Sequence, residues 1–217
     1  MVSFVNMIES KVAAGRRDRK RELTKAGLVK AAVKLFVRRG YDETTIDEIV
    51  AAADVAKVTF YYHFRSKEDI LHEIKRNCAA ETSRRAEELL ETGAPAREIL
   101  RVLAEDIALW VEKNWQLVEV FVTQKFAPPI GKDACHTEET PPLVLLLQRI
   151  VLQGQASGDF RSELVAEELA HFLMLGMMHQ HFSWIRKGRT SASPMPGVER
   201  WLDFVLNGLL VDKTNSD

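Results

Sequence analysis

Between Lys57 and Lys67 the chain places Val58, Thr59, Phe60, Tyr61, Tyr62, His63 and Phe64 in an uninterrupted run. Hydroxyl, phenol and imidazole groups with almost no acid among them donate well to phosphate oxygens and base edges, and Thr59 adds a methyl that suits thymine. At 100° per residue, Phe60 and Phe64 fall on one side as an i, i+4 pair and can pin a short helix. The other side then carries Val58, Thr59 and Tyr62, flanked by Tyr61 and His63, with Lys57 and Lys67 bracketing it in positive charge. The plainer reading makes all four rings core. It holds for Phe60 and Phe64, but one short helix cannot bury four rings, so Tyr61 and Tyr62 are expected to face outward.

A helix this short needs neighbours to hold it. Apolar residues at helical spacing from Arg19 to Arg39 predict a first helix that stops at Gly40. Thr45 with Glu48 three residues on is a capping box for a second helix through Ala53. The link 54–56 leads into the aromatic run, and Ser66 with Asp69 caps a long helix to about Leu90. Two short helices joined by a tight turn have the dimensions of a helix-turn-helix unit. Charge follows the same division: residues 11–67 carry a balance of +7 and residues 68–217 one of −7. Such a basic head suits a polyanion, or else presents an ordinary solvated face. Ahead of it, the run Arg16, Arg17, Arg19, Lys20 and Arg21 belongs to a basic arm over 1–18 and just beyond. That arm is expected either to lie in a minor groove or to be a solvated tail.

The acidic body, 68–217, reads as helices throughout, so the fold class is all-α: a three-helix helix-turn-helix head over 19–67 followed by a larger helical region. Helices are expected from Pro95 to Lys113, Trp115 to Phe126, Leu143 to Gln155 and Ser162 to about Lys187, with a last one beginning near Val198. From Leu169 to Met178 the chain is apolar nearly all round, and the final helix carries one apolar stripe. These features predict a homodimer seam of Leu169, Leu173, Gly176, Met177, Trp201, Leu202, Val205 and Leu209. The competing reading is that both helices close the chain's own core. Asp106 lies in a stripe with Ile99, Val102, Leu103 and Trp110, and a carboxylate there requires a donor. That donor is either an Arg or His of a neighbouring helix or a small apolar effector, cationic or neutral, held by Asp106, Trp110, Trp115, Phe121, Met174 and Met178. The long helix after Ser66 would pass the effector's influence to the reading head.

Other classes find little to rest on. A chain of 217 residues that is 46% hydrophobic supports a real core, and 11 Gly with 7 Pro do not suit a turn-dense β protein. Two cysteines, Cys78 and Cys135, make neither a disulfide framework nor a zinc spacing, and no signal peptide or membrane span is legible. A soluble cytoplasmic protein is expected. No phosphate loop, dinucleotide fingerprint or nucleophile elbow occurs, so no catalytic residues and no cofactor are assigned. Metal sensing through Asp133, Cys135 and His136, or through His171, His179 and His181, is conceivable, but His179 and His181 lie 200° apart on a helix and no metal site is assigned. A helical protein-interaction module would not require the basic head.

The stretches 44–53, 54–64 and 66–68 together resemble the amino-terminal domain of the tetracycline-repressor (TetR) family. The resemblance covers about residues 19 to 75. It implies that the helix at Lys57 to Phe64 enters the major groove of double-stranded DNA at a palindromic operator. It further implies that Tyr61, Tyr62, His63 and Lys67 contact phosphates, and that Thr45 opens its helix beside one. A homodimeric repressor released by a small effector is the function implied; a regulator with no effector is the alternative. Where the family usually has Gly, Ser and Gly, this chain has Asp54, Ala56 and Val58. Asp54 can still take a left-handed turn, Ala56 gives up a cap, and Val58 alters the groove face. The operator, the regulated genes and the identity of the effector are not encoded legibly.

Overall fold

The computed structural model describes residues 15–123, 140–189 and 191–209. Among these are eight helices and no strand: α1 Arg16–Arg39, α2 Ile46–Ala52, α3 Lys57–His63, α4 Lys67–Glu91, α5 Ala96–Thr123, α6 Pro142–Ala156, α7 Ala166–Arg186 and α8 Met195–Leu209. None is long and apolar enough to cross a membrane. The described chain divides into two units, residues 15–78 with 114–123, and residues 79–113 with those from 140 onward. The first therefore runs past the boundary expected at residue 67. Ile70, Leu71, Ile74 and Cys78 on the opening turns of α4 are buried, so cutting at Lys67 would expose four apolar side chains.

In the first unit, α1 packs on α2 and α2 on α3. Leu28, Ala32, Val33 and Phe36 of α1, Ile49 of α2 and Phe60 of α3 are almost wholly buried. Gly40 ends α1 at φ 91°, donating its N–H to the Phe36 carbonyl at 2.9 Å. The helix begins earlier than the apolar pattern showed. Residues from Arg16 on are its first turns, so the basic run is helical where a flexible arm was expected; residues 1–14 lie outside the described residues.

In the second unit α6 packs along α7, and α7 along α8. Gly154 leaves room for the Phe160 ring, which a Cβ there would meet at 2.3 Å, and Gly158 turns the chain at φ 75°. Between them Gly154 O accepts from the N–H groups of Asp159 and Phe160, both at 2.9 Å. Gln155 donates to the carbonyls of Arg161 and Leu164, which holds 161–164 as a loop and starts α7 at Ala166 instead of Ser162. The break expected near residue 114 is a kink: Asn114, at φ −124° and ψ 25°, interrupts α5 without ending it.

His181 of α7 is 3% exposed, and its Nε2 has no partner among the described residues. Burial pushes its imidazole down from 6.5 to about 4. The folded chain therefore holds it neutral at pH values where the unfolded chain protonates it, so His181 has no effect well above pH 6.5 and costs stability progressively as pH falls toward 4. Urea unfolding at pH 7.5 and 5 should show wild type losing about 2 kcal/mol more than His181→Leu. Equal losses in the two proteins would show that His181 carries no such penalty.

Candidate nucleic-acid interface

The site is built from three local devices. Thr45 caps α2: its hydroxyl accepts the Glu48 N–H at 3.2 Å while the Glu48 carboxylate takes the Thr45 N–H at 2.9 Å, the reciprocal capping box. Those bonds from the Thr45 backbone and hydroxyl, with Arg39 paired alongside, hold the Glu48 carboxyl below the usual carboxylate range. The turn then bends at Asp54, φ 53°, the left-handed conformation expected of a short polar side chain in glycine's place. Ala56 stands at the N-cap of α3 without a side-chain bond, as its lost hydroxyl implies.

On α3, Phe60 is fully buried and Phe64 is 4% exposed, with ring centroids 5.7 Å apart. The outward side carries Val58 at 76% exposure, Tyr62 at 70% and Tyr61 at 52%, with Lys57 exposed and Thr59 and His63 half-buried. Tyr61 stands edge-on to Phe60 at 5.6 Å, which fixes one ring by the other. Burial, with the nearby charges of Arg21 and Lys25, holds the His63 imidazole below its ordinary value.

The two lysines are less free than their positions suggested. Lys57 pairs with Asp47 at 2.8 Å on the surface. Lys67 donates to the carbonyls of Tyr41 at 2.7 Å and Thr44 at 2.9 Å, and its ammonium lies 4.3 Å from the Tyr41 ring centroid. In this arrangement Lys67 fastens the loop between α1 and α2 to the start of α4, where a phosphate contact was expected.

Residues 28–74 match the family model described as bacterial regulatory proteins, tetR family. The transcriptional repressor KstR2 of Rhodococcus jostii is 25% identical over 90% of this chain and 93% of its own length. The repressor DhaR of a Mycobacterium species is 28% identical over 68% of this chain and 75% of its own. The matched stretch is a TetR-type amino-terminal domain. Like these relatives, the chain is a DNA-binding transcriptional regulator. Its fold is that of a solved structure: the crystal structure of Thermus thermophilus FadR, a repressor in complex with lauroyl-CoA, aligns over 89% of this chain and 98% of that one, at 24% identity and a TM-score of 0.70.

The remaining expected site residues are placed unevenly. Asp106 meets Arg85 of α4 at 2.6 Å, so the donor it required is a neighbouring arginine. Trp110 is buried and donates its indole N–H to Glu81 at 2.8 Å. Trp115 and Phe121 belong to the first unit, where the Lys75 ammonium lies 5.8 Å from the Phe121 ring; Asp106, Trp110 and the half-buried Met174 and Met178 belong to the second. Of the expected dimer seam, Leu173, Met177, Leu202, Val205 and Leu209 are buried within the single chain. Gly176 is covered by Trp201 of the same chain, whose Nε1 a Cβ would meet at 2.3 Å, and Leu169 is half-buried. The apolar side chains these helices leave outside are Phe172, Leu175 and Phe204, which the sequence reading did not single out. A helix apolar on all sides gives no sign of which side its own chain will claim. Asp133, Cys135 and His136 lie outside the described residues.

Thr45→Ala should destabilise the chain by about 1 kcal/mol, because the Glu48 N–H loses its acceptor, and Thr45→Ser should restore most of it. Thermal unfolding of the two variants without DNA checks this; an alanine variant as stable as wild type would deny the cap its role.

Proposed function

We propose that the chain is a homodimeric repressor that reads a palindromic operator with α3 of each protomer and is released by a small apolar effector. The observation that carries the DNA reading is the division of α3, with Phe60 and Phe64 inside and Val58, Tyr61 and Tyr62 outside. In this reading Tyr61, Tyr62 and His63 donate to phosphates, while Lys57, Val58 and Thr59 lie against base edges. Thr45 holds the N-terminus of α2 next to the backbone.

For the dimer, the face that supports a seam is the exposed one. Phe172 and Phe204 border a groove lined also by Leu169, Val205, Gly208 and Leu209, and Leu175 extends the same apolar surface. A patch of large apolar side chains on α7 and α8 marks a contact surface. For the effector, the Arg85 pair removes the carboxylate that a cationic ligand would need, so the apolar alternative is retained, with Met174 and Met178 as its wall. The lauroyl-CoA held by the Thermus thermophilus FadR is compatible with an apolar chain as the recognised part.

Selection of DNA from a random pool should recover an inverted repeat. Affinity for it should fall steeply with salt, and Tyr62→Ala should weaken binding while Val58→Ala changes the preferred bases. Recovery of no common site, or binding indifferent to salt and to Tyr62, would overturn the reading. By light scattering the wild type should have twice its chain mass of 24.6 kDa, and Phe204→Glu should be monomeric. A Phe204→Glu variant that still pairs would move the seam elsewhere.

A further inference from the structure

We propose that Arg21, reaching from α1 onto the ring of Tyr62, is a further phosphate-contacting residue, so that two helices share the phosphate site beside α3. The inference rests on the DNA reading of α3. Its starting point is the state of the nearby cations. Lys25 is tied to Glu73 at 2.6 Å, Lys57 to Asp47 at 2.8 Å, and Lys67 to loop carbonyls. Arg21 differs from all three. Among the described residues no carboxylate lies within ion-pair distance of its guanidinium, whose central carbon is 5.9 Å from the Tyr62 ring centroid. A π face orients a guanidinium without neutralising it and leaves its edge N–H groups free.

The surroundings favour an anion there. Tyr62 is itself 70% exposed, so both members of the pair are open to a ligand. The His63 ring stands edge-on to Tyr62 at 5.1 Å, and Arg21 is among the charges that disfavour its protonation. Arg21, Tyr62 and His63 thus gather a cation and two donor groups at one place on the surface. An oxyanion is what such a cluster accepts: the planar fork can hold two phosphate oxygens, and the phenol can donate to a third. One turn earlier on the same side of α1, Arg17 is also exposed and continues the positive stripe. The part of the basic run that engages DNA is then a rigid helical edge held against the recognition helix.

The test is the salt dependence of binding to a labelled duplex carrying the selected site, followed by fluorescence anisotropy. Arg21→Gln should lower the slope of log K against log salt by about one per protomer, so that a dimer loses roughly tenfold less affinity between about 50 and 200 mM salt than wild type. Arg21→Lys should keep the slope at reduced affinity. In a Tyr62→Ala background, Arg21→Gln should change affinity less than it does alone, whereas Tyr62→Phe, which keeps the ring, should leave the Arg21 effect intact. A residue that merely props up Tyr62 would leave the slope unchanged. If wild type binds and Arg21→Gln keeps the wild-type slope, the assignment of Arg21 is overturned and the α3 reading stands; if wild type itself shows no salt-dependent binding, the α3 reading fails first.

Discussion

Seven residues cannot hold a helix in water unaided, so α3 exists because Phe60 and Phe64 are taken into the core of the first unit. Burying two such rings contributes about 3 to 6 kcal/mol. That anchorage fixes the rotation of α3 about its own axis. With Phe60 inside, Val58, Tyr61 and Tyr62 have no direction left but outward, and the reading face is the complement of the core face. The face that α3 offers outward is a by-product of packing: a substitution that rotated α3 by one residue would change every group offered to a partner while leaving the composition almost untouched.

The charge of the reading head divides into two roles. Much of it is spent internally: Arg39 on Glu48, Lys57 on Asp47 and Lys67 on the carbonyls that close the loop after α1. These pairs build geometry. The long-range attraction survives them, because Asp47 and Glu48 were already counted in the balance of +7 over residues 11–67. A field felt at a distance depends on net charge, whereas a contact depends on which donors are still open at the surface. The head can therefore draw in a polyanion with charges that never touch it, while the exposed tyrosines and the few cations left unpaired are the donors open for contact.

Helix types and most boundaries were legible because local rules decide them: the Thr45 capping box, the Gly40 and Gly158 stops, and the Phe60 and Phe64 spacing all depend on residues within one turn. The left-handed Asp54 was legible for the same reason. What escaped depends on partners distant in sequence. Nothing within four residues of Lys67 announces that Tyr41 and Thr44 will supply its acceptors, more than twenty positions away. Arg85 and Asp106 are likewise separated by 21 positions, so that the need for a donor was readable and its identity was not. Arg21 belongs to the same class: its charge was visible, but its seat on Tyr62 required α1 to be folded against α3.

The seam expected on α7 and α8 shows how an apolar pattern can select side chains that the chain itself buries. Leu173, Met177 and Leu202 satisfy every rule for an interface, but their own chain buries them first, since an intramolecular contact does not carry the entropic cost of association. Phe172, Leu175 and Phe204 remain exposed, and the proposed mode of reading would give them a purpose. A helix of seven residues spans about 10 Å, the length of roughly three base pairs, which is too short a word to mark one place among many. Pairing two chains about a twofold axis doubles the word without a new recognition surface, and the site so read must repeat in inverted order. In the proposed dimer, the exposed phenylalanines on the body and the tyrosines on α3 serve one requirement: specificity that a single short helix does not reach.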